Sequence, residues 1–273
     1  MRTSLVAVAI AFLAMAGVAC PVEVRAAPRI VSLDQCADQY VLALAPRGEI
    51  VALSKRATND DSYLKAAAAG LPQRRATLES ILGERATIAV TYWAGDLRLP
   101  AALAARGVRV VQIGEASDYA GVERNIRQVA AALGLPEAGE RMIDRMEGQL
   151  AQSRAAWGGA RALYLTPGGF TAGRSTLVGA MMAAAGLVSA APAPGYAPVS
   201  LEGLVLNPPA ALVLGFFSDL AVGRSRWTIA GNGYLQTLNR DRAVASLPGS
   251  ILGCPAWFAA DGTLALARAR QGR

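Results

Sequence analysis

RIVSLDQCADQYVLALAPRGEIVALS, residues 29–54, sets two β-rich runs on either side of a helical one. Arg29 to Leu33 is a short β-rich run after Pro28, and Ile50 to Leu53 is another. Between them, Ala37 to Ala45 places its apolar residues at helical spacing. A strand, a helix and a second strand in so short a stretch form the repeating unit of a parallel sheet, because parallel neighbours need a helical crossover.

The pattern continues downstream. Ile88 to Tyr92 and Val108 to Ile113 read as strands, with Leu99 to Arg106 as the helix between them and Gly107 at its stop. Glu123 to Leu133 is amphipathic and ends at Gly134-Leu135-Pro136. Glu137 to about Trp157 then reads as one long helix, with Met142, Met146 and Leu150 along one face. Twenty residues of helix span about 30 Å, the length of a connecting rod. A second α/β pattern follows. Its strands are Ala162–Leu165, Ala211–Phe216 and the weaker Val244–Leu247; its helices are Thr176–Ala185, Leu201–Leu206 and Phe258–Arg270. The expected architecture is α/β: two α/β lobes with parallel sheets, residues 27–136 and 158–273, joined by a single backbone helix over 137–157.

Composition narrows the chemistry. The 273 residues include no histidine, which removes Ser-His-Asp and Cys-His nucleophiles and imidazole-held metals. The net charge of +7 suggests nucleic acid at first sight. However, the basic residues are arginines almost throughout, Lys55 and Lys65 excepted. They are scattered, with Arg74-Arg75 the only adjacent pair, so no nucleic-acid partner is expected.

The first 26 residues read as a signal peptide. Arg2 precedes an apolar run from Leu5 to Ala19, shorter than the about 20 residues of a membrane span. Small residues then precede a cut after Ala26. Gly17-Val18-Ala19-Cys20 offers the alternative of a lipid anchor at Cys20. After cleavage at Ala26 two cysteines remain, Cys36 and Cys254. In an oxidising compartment they can pair; the alternative is two separate buried thiols.

A faint internal repeat links the halves. Thr77-Leu78-Glu79 precedes the strand at Ile88, and Ser200-Leu201-Glu202 precedes the strand at Leu212. A hydroxyl residue followed by an early Glu is ordinary helix-start chemistry. Its appearance once per half is what gives the pair a second meaning.

With the segments at 29–54, 77–95 (TLESILGERATIAVTYWAG), 162–187 (ALYLTPGGFTAGRSTLVGAMMAAAGL) and 199–216 (VSLEGLVLNPPAALVLGF), the chain resembles periplasmic substrate-binding proteins of ABC importers, in the class that binds vitamin B12 and ferric siderophores. The resemblance implies a ligand cleft between two lobes and an importer permease as partner. It places Glu79 and Glu202 where such proteins meet permease arginines. It also implies a monomer in the periplasm, no catalysis, and no cofactor other than the ligand, a ferric siderophore or a cobalamin. The sequence departs from the family pattern at Ala86, where a proline is usual after the first Glu; Pro209 holds that place in the second half.

Ligands of such sheets bind beyond the carboxyl ends of the strands. The loops there carry Tyr92, Trp93, Phe170, Trp227 and Trp257, aromatics suited to a flat chelate, and Arg56, Arg174, Arg224 and Arg226, cations for a negatively charged complex. Against this, aromatics at strand ends often cap a core. Gly168, Gly169 and Gly173 permit either close approach of backbone to ligand or a plain turn. Two rival readings are a secreted carboxylate hydrolase using Asp60, Asp61 or Asp96, and an interaction protein keeping only the fold.

Overall fold

The computed structural model describes residues 27–93, 98–217 and 232–271. The signal segment, Asp96, Arg224, Arg226 and Trp227 lie outside the described residues.

The N-terminal lobe is built on β1 (Ile30–Ser32), β2 (Ile50–Ser54), β3 (Gln73–Arg74), β4 (Ile88–Thr91) and β5 (Arg109–Gln112). The five strands are parallel, in the order β3-β2-β1-β4-β5. β1 and β4 are buried along their whole length, which is why they read as continuous apolar runs rather than alternating ones. The crossover α1 (Gln35–Leu44) starts at Asp34, whose side chain accepts from Cys36 N and Ala37 N, and stops before Pro46. α2 (Lys65–Ala68), α3 (Leu78–Gly83), α4 (Leu99–Ala104) and α5 (Tyr119–Leu133) complete the lobe. Asp118 caps α5, and Gly134 ends it at φ 77°, a left-handed conformation that glycine adopts without strain.

The backbone helix α6 is Pro136–Ser153, ending about four residues before the end its sequence pattern suggests. It buries Met142, Ile143 and Met146 on one face. The chain then leaves the helix because Trp157 is drawn into the second lobe. Its backbone N–H donates to Ala185 O at 3.1 Å and its ring N–H to Leu266 O at 2.8 Å.

The C-terminal lobe contains β6 (Ala160–Leu165), β7 (Phe170–Ala172), α7 (Leu177–Ala184), β8 (Leu187–Ser189), β9 (Tyr196–Pro198), α8 (Leu201–Leu206), β10 (Ala211–Gly215), α9 (Gly233–Arg242), β11 (Ala243–Leu247), α10 (Gly249–Leu252) and α11 (Ala259–Gln271). Its parallel sheet runs β11-β10-β6-β8, and β7 pairs antiparallel with β9. Read as β8-β6-β10-β11, this order matches β2-β1-β4-β5 strand for strand. The two lobes therefore share one topology, with β3 added at an edge of the first.

The lobes are not independent at their base. Cys254, Ala256, Phe258 and Ala260 belong by sequence to the second half, yet they are buried in the core formed by α1, α5, α6 and one face of the N-terminal sheet. α11 also packs along α6.

Candidate ligand cleft

The site begins with one carboxylate. Asp34 follows β1 and caps α1 through Oδ1. Its Oδ2 accepts from Thr91 Oγ1 at 3.0 Å, Tyr92 N at 2.6 Å and Trp93 N at 2.9 Å. Asp34 thus ties the loops after β1 and β4 together and fixes where the two aromatics emerge. Trp93 is 69% exposed at the rim. Tyr92 is half-buried, and its hydroxyl donates to the Glu115 carboxylate after β5. Burial first, and then the Glu115 charge, push the Tyr92 phenol above its usual range, so it stays protonated and remains a donor.

Two adjoining cavities open at this point. The first, about 540 Å³, is lined by Asp34, Arg56, Arg75, Tyr92, Trp93 and Cys254 among others. The second, about 310 Å³, lies between the lobes, with Tyr92, Glu115 and Ser117 on one side and Ser175, Thr176 and Tyr196 on the other. Tyr92, Gly253 and Cys254 line both. Tyr196 reaches in from β9 of the C-terminal lobe and is 67% exposed. Thr176 caps α7 by accepting from Gly179 N at 3.0 Å and donates to Gly173 O at 2.7 Å.

The base is covalently closed by a disulfide between Cys36 and Cys254. Beside it the Tyr40 hydroxyl donates to Pro255 O at 2.6 Å. Asp261 of α11 accepts from the Tyr63 hydroxyl and, at 2.5 Å, from Gln149 Nε2 of α6. Beneath Cys36, buried Asp38 accepts from the Ser32 hydroxyl, from Ser54 N at 2.8 Å and from the Ser54 hydroxyl at 2.5 Å. Burial outweighs these bonds and raises its carboxyl to about 6.

Of the residues singled out in the sequence, Arg56, Tyr92, Trp93, Cys36 and Cys254 are brought together on the first cavity. Phe170 on β7 is half-exposed, and Arg174 is exposed beside Ser175; neither lines the two cavities. Trp257 lies elsewhere. Its ring meets Tyr40 edge-on at 5.5 Å, Tyr63 at 6.4 Å and Phe258 at 5.2 Å, so it packs on the core below the cleft. Gly173 approaches backbone, not ligand space: a Cβ there would lie 1.9 Å from Ala193 O. Asp60 and Asp61 are held in surface ion pairs with Lys65 at 3.0 Å and Arg56 at 3.1 Å.

Glu79 and Glu202 are both exposed in the first turns of α3 and α8, capped by Thr77 and Ser200 respectively. α3 leads into β4 and α8 into β10, equivalent strands of the two sheets, so the two glutamates occupy equivalent places. Sequence reasoning did not single out Glu115, Tyr196 or Arg75 as cleft residues. The pairing of Arg74 with Arg75 was the one visible signal. β3, which carries Arg74, is too short to leave a pattern.

A family model described as periplasmic binding protein matches residues 30–216. The chain belongs to the periplasmic binding protein family. Members are periplasmic receptors that bind small ligands and serve ABC importers. Among solved structures, the apo periplasmic heme-binding protein RhuT from Roseiflexus sp. RS-1 is 27% identical, with TM-score 0.70, covering 90% of this chain and 100% of that one. The periplasmic heme-binding protein HutB of Vibrio cholerae is 20% identical, with TM-score 0.67 and coverage of 88% and 96%. The periplasmic vitamin B12-binding protein BtuF of Vibrio cholerae is 19% identical, with TM-score 0.62 and coverage of 89% and 96%. These last two show likeness of fold alone. A comparison with curated sequences gives no match.

Proposed function

We propose that this periplasmic binding protein captures a metal chelate of the tetrapyrrole kind, haem or cobalamin, and delivers it to an ABC importer. The observation that carries this reading is the divided cleft. Large aromatics from opposite lobes, Trp93 and Tyr196, stand exposed beside two adjoining cavities, one at the carboxyl ends of the N-terminal strands and one between the lobes. The similarity to heme-binding RhuT supports haem, and the likeness of fold to BtuF keeps cobalamin beside it. A ferric siderophore is the competing cargo.

The action is binding and hand-over. A monomer, exported by the segment over residues 1–26, closes modestly on its ligand because the base is welded by the disulfide, α6 and the Asp261 bonds. Glu79 and Glu202, one per lobe, then meet arginines of the permease. The test is tryptophan fluorescence of the mature protein titrated with haemin, cyanocobalamin and a panel of ferric siderophores. Saturation at one equivalent with a tetrapyrrole is the expected result. Saturation with a siderophore alone reassigns the cargo, and no response from folded protein overturns the reading.

A further inference from the structure

The two cavities of the cleft differ in charge. The first is lined by four cations, Lys55, Arg56, Arg74 and Arg75, and by two carboxylates, Asp34 and Asp61. Asp34 is already engaged by five donors, so its charge is locally compensated. Asp61 holds one end of Arg56. Arg74 is fixed in place by Glu84 at 2.7 Å and by the Gln73 carbonyl at 3.1 Å. Arg75 and Lys55 have no side-chain partner among the described residues, and both are exposed. The second cavity is lined by no cation among the described residues. It presents Glu115, two phenols and the hydroxyls of Ser117, Ser175 and Thr176.

A site with positive charge at one end and a carboxylate at the other orients its ligand. An anion in the first cavity gains charge-assisted hydrogen bonds from guanidinium groups, whose planar fork matches a carboxylate. The same anion in the second cavity would face Glu115. From this we infer that the ligand carries carboxylates at one end, and that they enter the first cavity against Arg75 and Lys55, flanked by Arg56 and Arg74. The uncharged body of the ligand then extends past Tyr92 toward Tyr196. This inference rests on the proposed chelate-binding role and narrows it to carboxylate-bearing chelates bound in one orientation.

The experiment uses two kinds of probe. Haemin and haemin dimethyl ester share a macrocycle but differ in carboxylates. Citrate carries carboxylates without any chelate. Affinities are measured by calorimetry for the wild type and for Arg75→Gln/Lys55→Gln; both sites are exposed, and a melting curve verifies folding. The ester is expected to bind about ten- to a hundred-fold more weakly than haemin, the effect of losing hydrogen bonds to charged groups. The double variant should bring haemin down toward the ester, and citrate should bind saturably to the wild type only. Equal affinity for haemin and ester, or a double variant that binds citrate as the wild type does, overturns the inference while leaving chelate capture standing. Citrate binding without any chelate binding keeps the anion site and removes the proposed function. Absence of both removes both. Inorganic phosphate that binds as tightly as citrate would overturn the carboxylate assignment.

Discussion

Cys36, in the first turn of α1, is bonded to Cys254, which follows α10, with Cα atoms 5.3 Å apart across 218 positions of sequence. One bond therefore joins the N-terminal sheet's first crossover to the far end of the second lobe, at the wall shared by both cavities. Closing so long a loop removes unfolded-state entropy worth up to about 5 kcal/mol. Reduction, or Cys36→Ser with Cys254→Ser, is expected to lower the unfolding free energy by a large part of that amount, read as a lower denaturant midpoint. A thiol titration shows whether the bond was present. An oxidised protein with the same midpoint as the double variant would deny the bond a stabilising role.

Trp93 and Trp257 are predicted to separate function from stability. Trp93→Ala removes an exposed ring and should change stability by less than about 0.5 kcal/mol while weakening ligand binding. Trp257→Ala removes a ring packed against Tyr40, Tyr63 and Phe258, and should cost about 3 kcal/mol. Denaturation curves and a ligand titration on each variant check this; a Trp257→Ala protein of normal stability contradicts the packing role.

Asp38 sets a pH dependence. Its folded-state value of about 6 lies above the ordinary 3.8, so the protonated carboxyl favours the folded protein. The stability it contributes is complete below about pH 3.8 and is lost as pH rises through about 6, by roughly 3 kcal/mol in all. Asp38→Asn mimics the protonated form. The difference in unfolding free energy between variant and wild type should therefore move in favour of the variant from pH 4 to pH 7, over about that interval. A difference independent of pH would show that Asp38 titrates normally.

Glu79→Arg with Glu202→Arg is expected to abolish importer-dependent uptake while leaving ligand affinity unchanged, at a stability cost of no more than about 1 kcal/mol per site from the reversed charge at each helix start. Both carboxylates are exposed, and both helices keep their caps from Thr77 and Ser200. Uptake in cells and affinity of the purified variant are the two readouts; uptake that persists would reduce the pair to helix-terminus chemistry.

Much of the fold was legible because it rests on local patterns. β1, β2, β4, β10 and β6 from Ala162 onward are largely buried, mostly apolar runs, and α8 lies at Leu201–Leu206, where its pattern put it. The elements not seen carry little pattern. β3 has two residues, β7, β8 and β9 have three each, and α9 buries only Leu235 and Leu238. The cleft was legible only in part. Tyr92 and Trp93 follow a strand and could be named, whereas Tyr196 lies in a short antiparallel pair that no periodicity announces.

The α/β class, the two halves and the long helix between them could be read from the chain, because strand and helix periods and caps are set by neighbours a few residues apart, and the family followed from the resemblance of four segments. Tertiary structure alone decided the rest. It drew Cys254, Ala256, Phe258 and Ala260 into the first lobe's core, so Trp257 packs against that core where Trp93 is exposed, although both are aromatics in loops. It also collected Lys55, Arg56, Arg74 and Arg75 on one cavity and Glu115 and Tyr196 on the next. The physical reason is that burial and the local field are sums over residues distant in sequence, and no local spacing contains them.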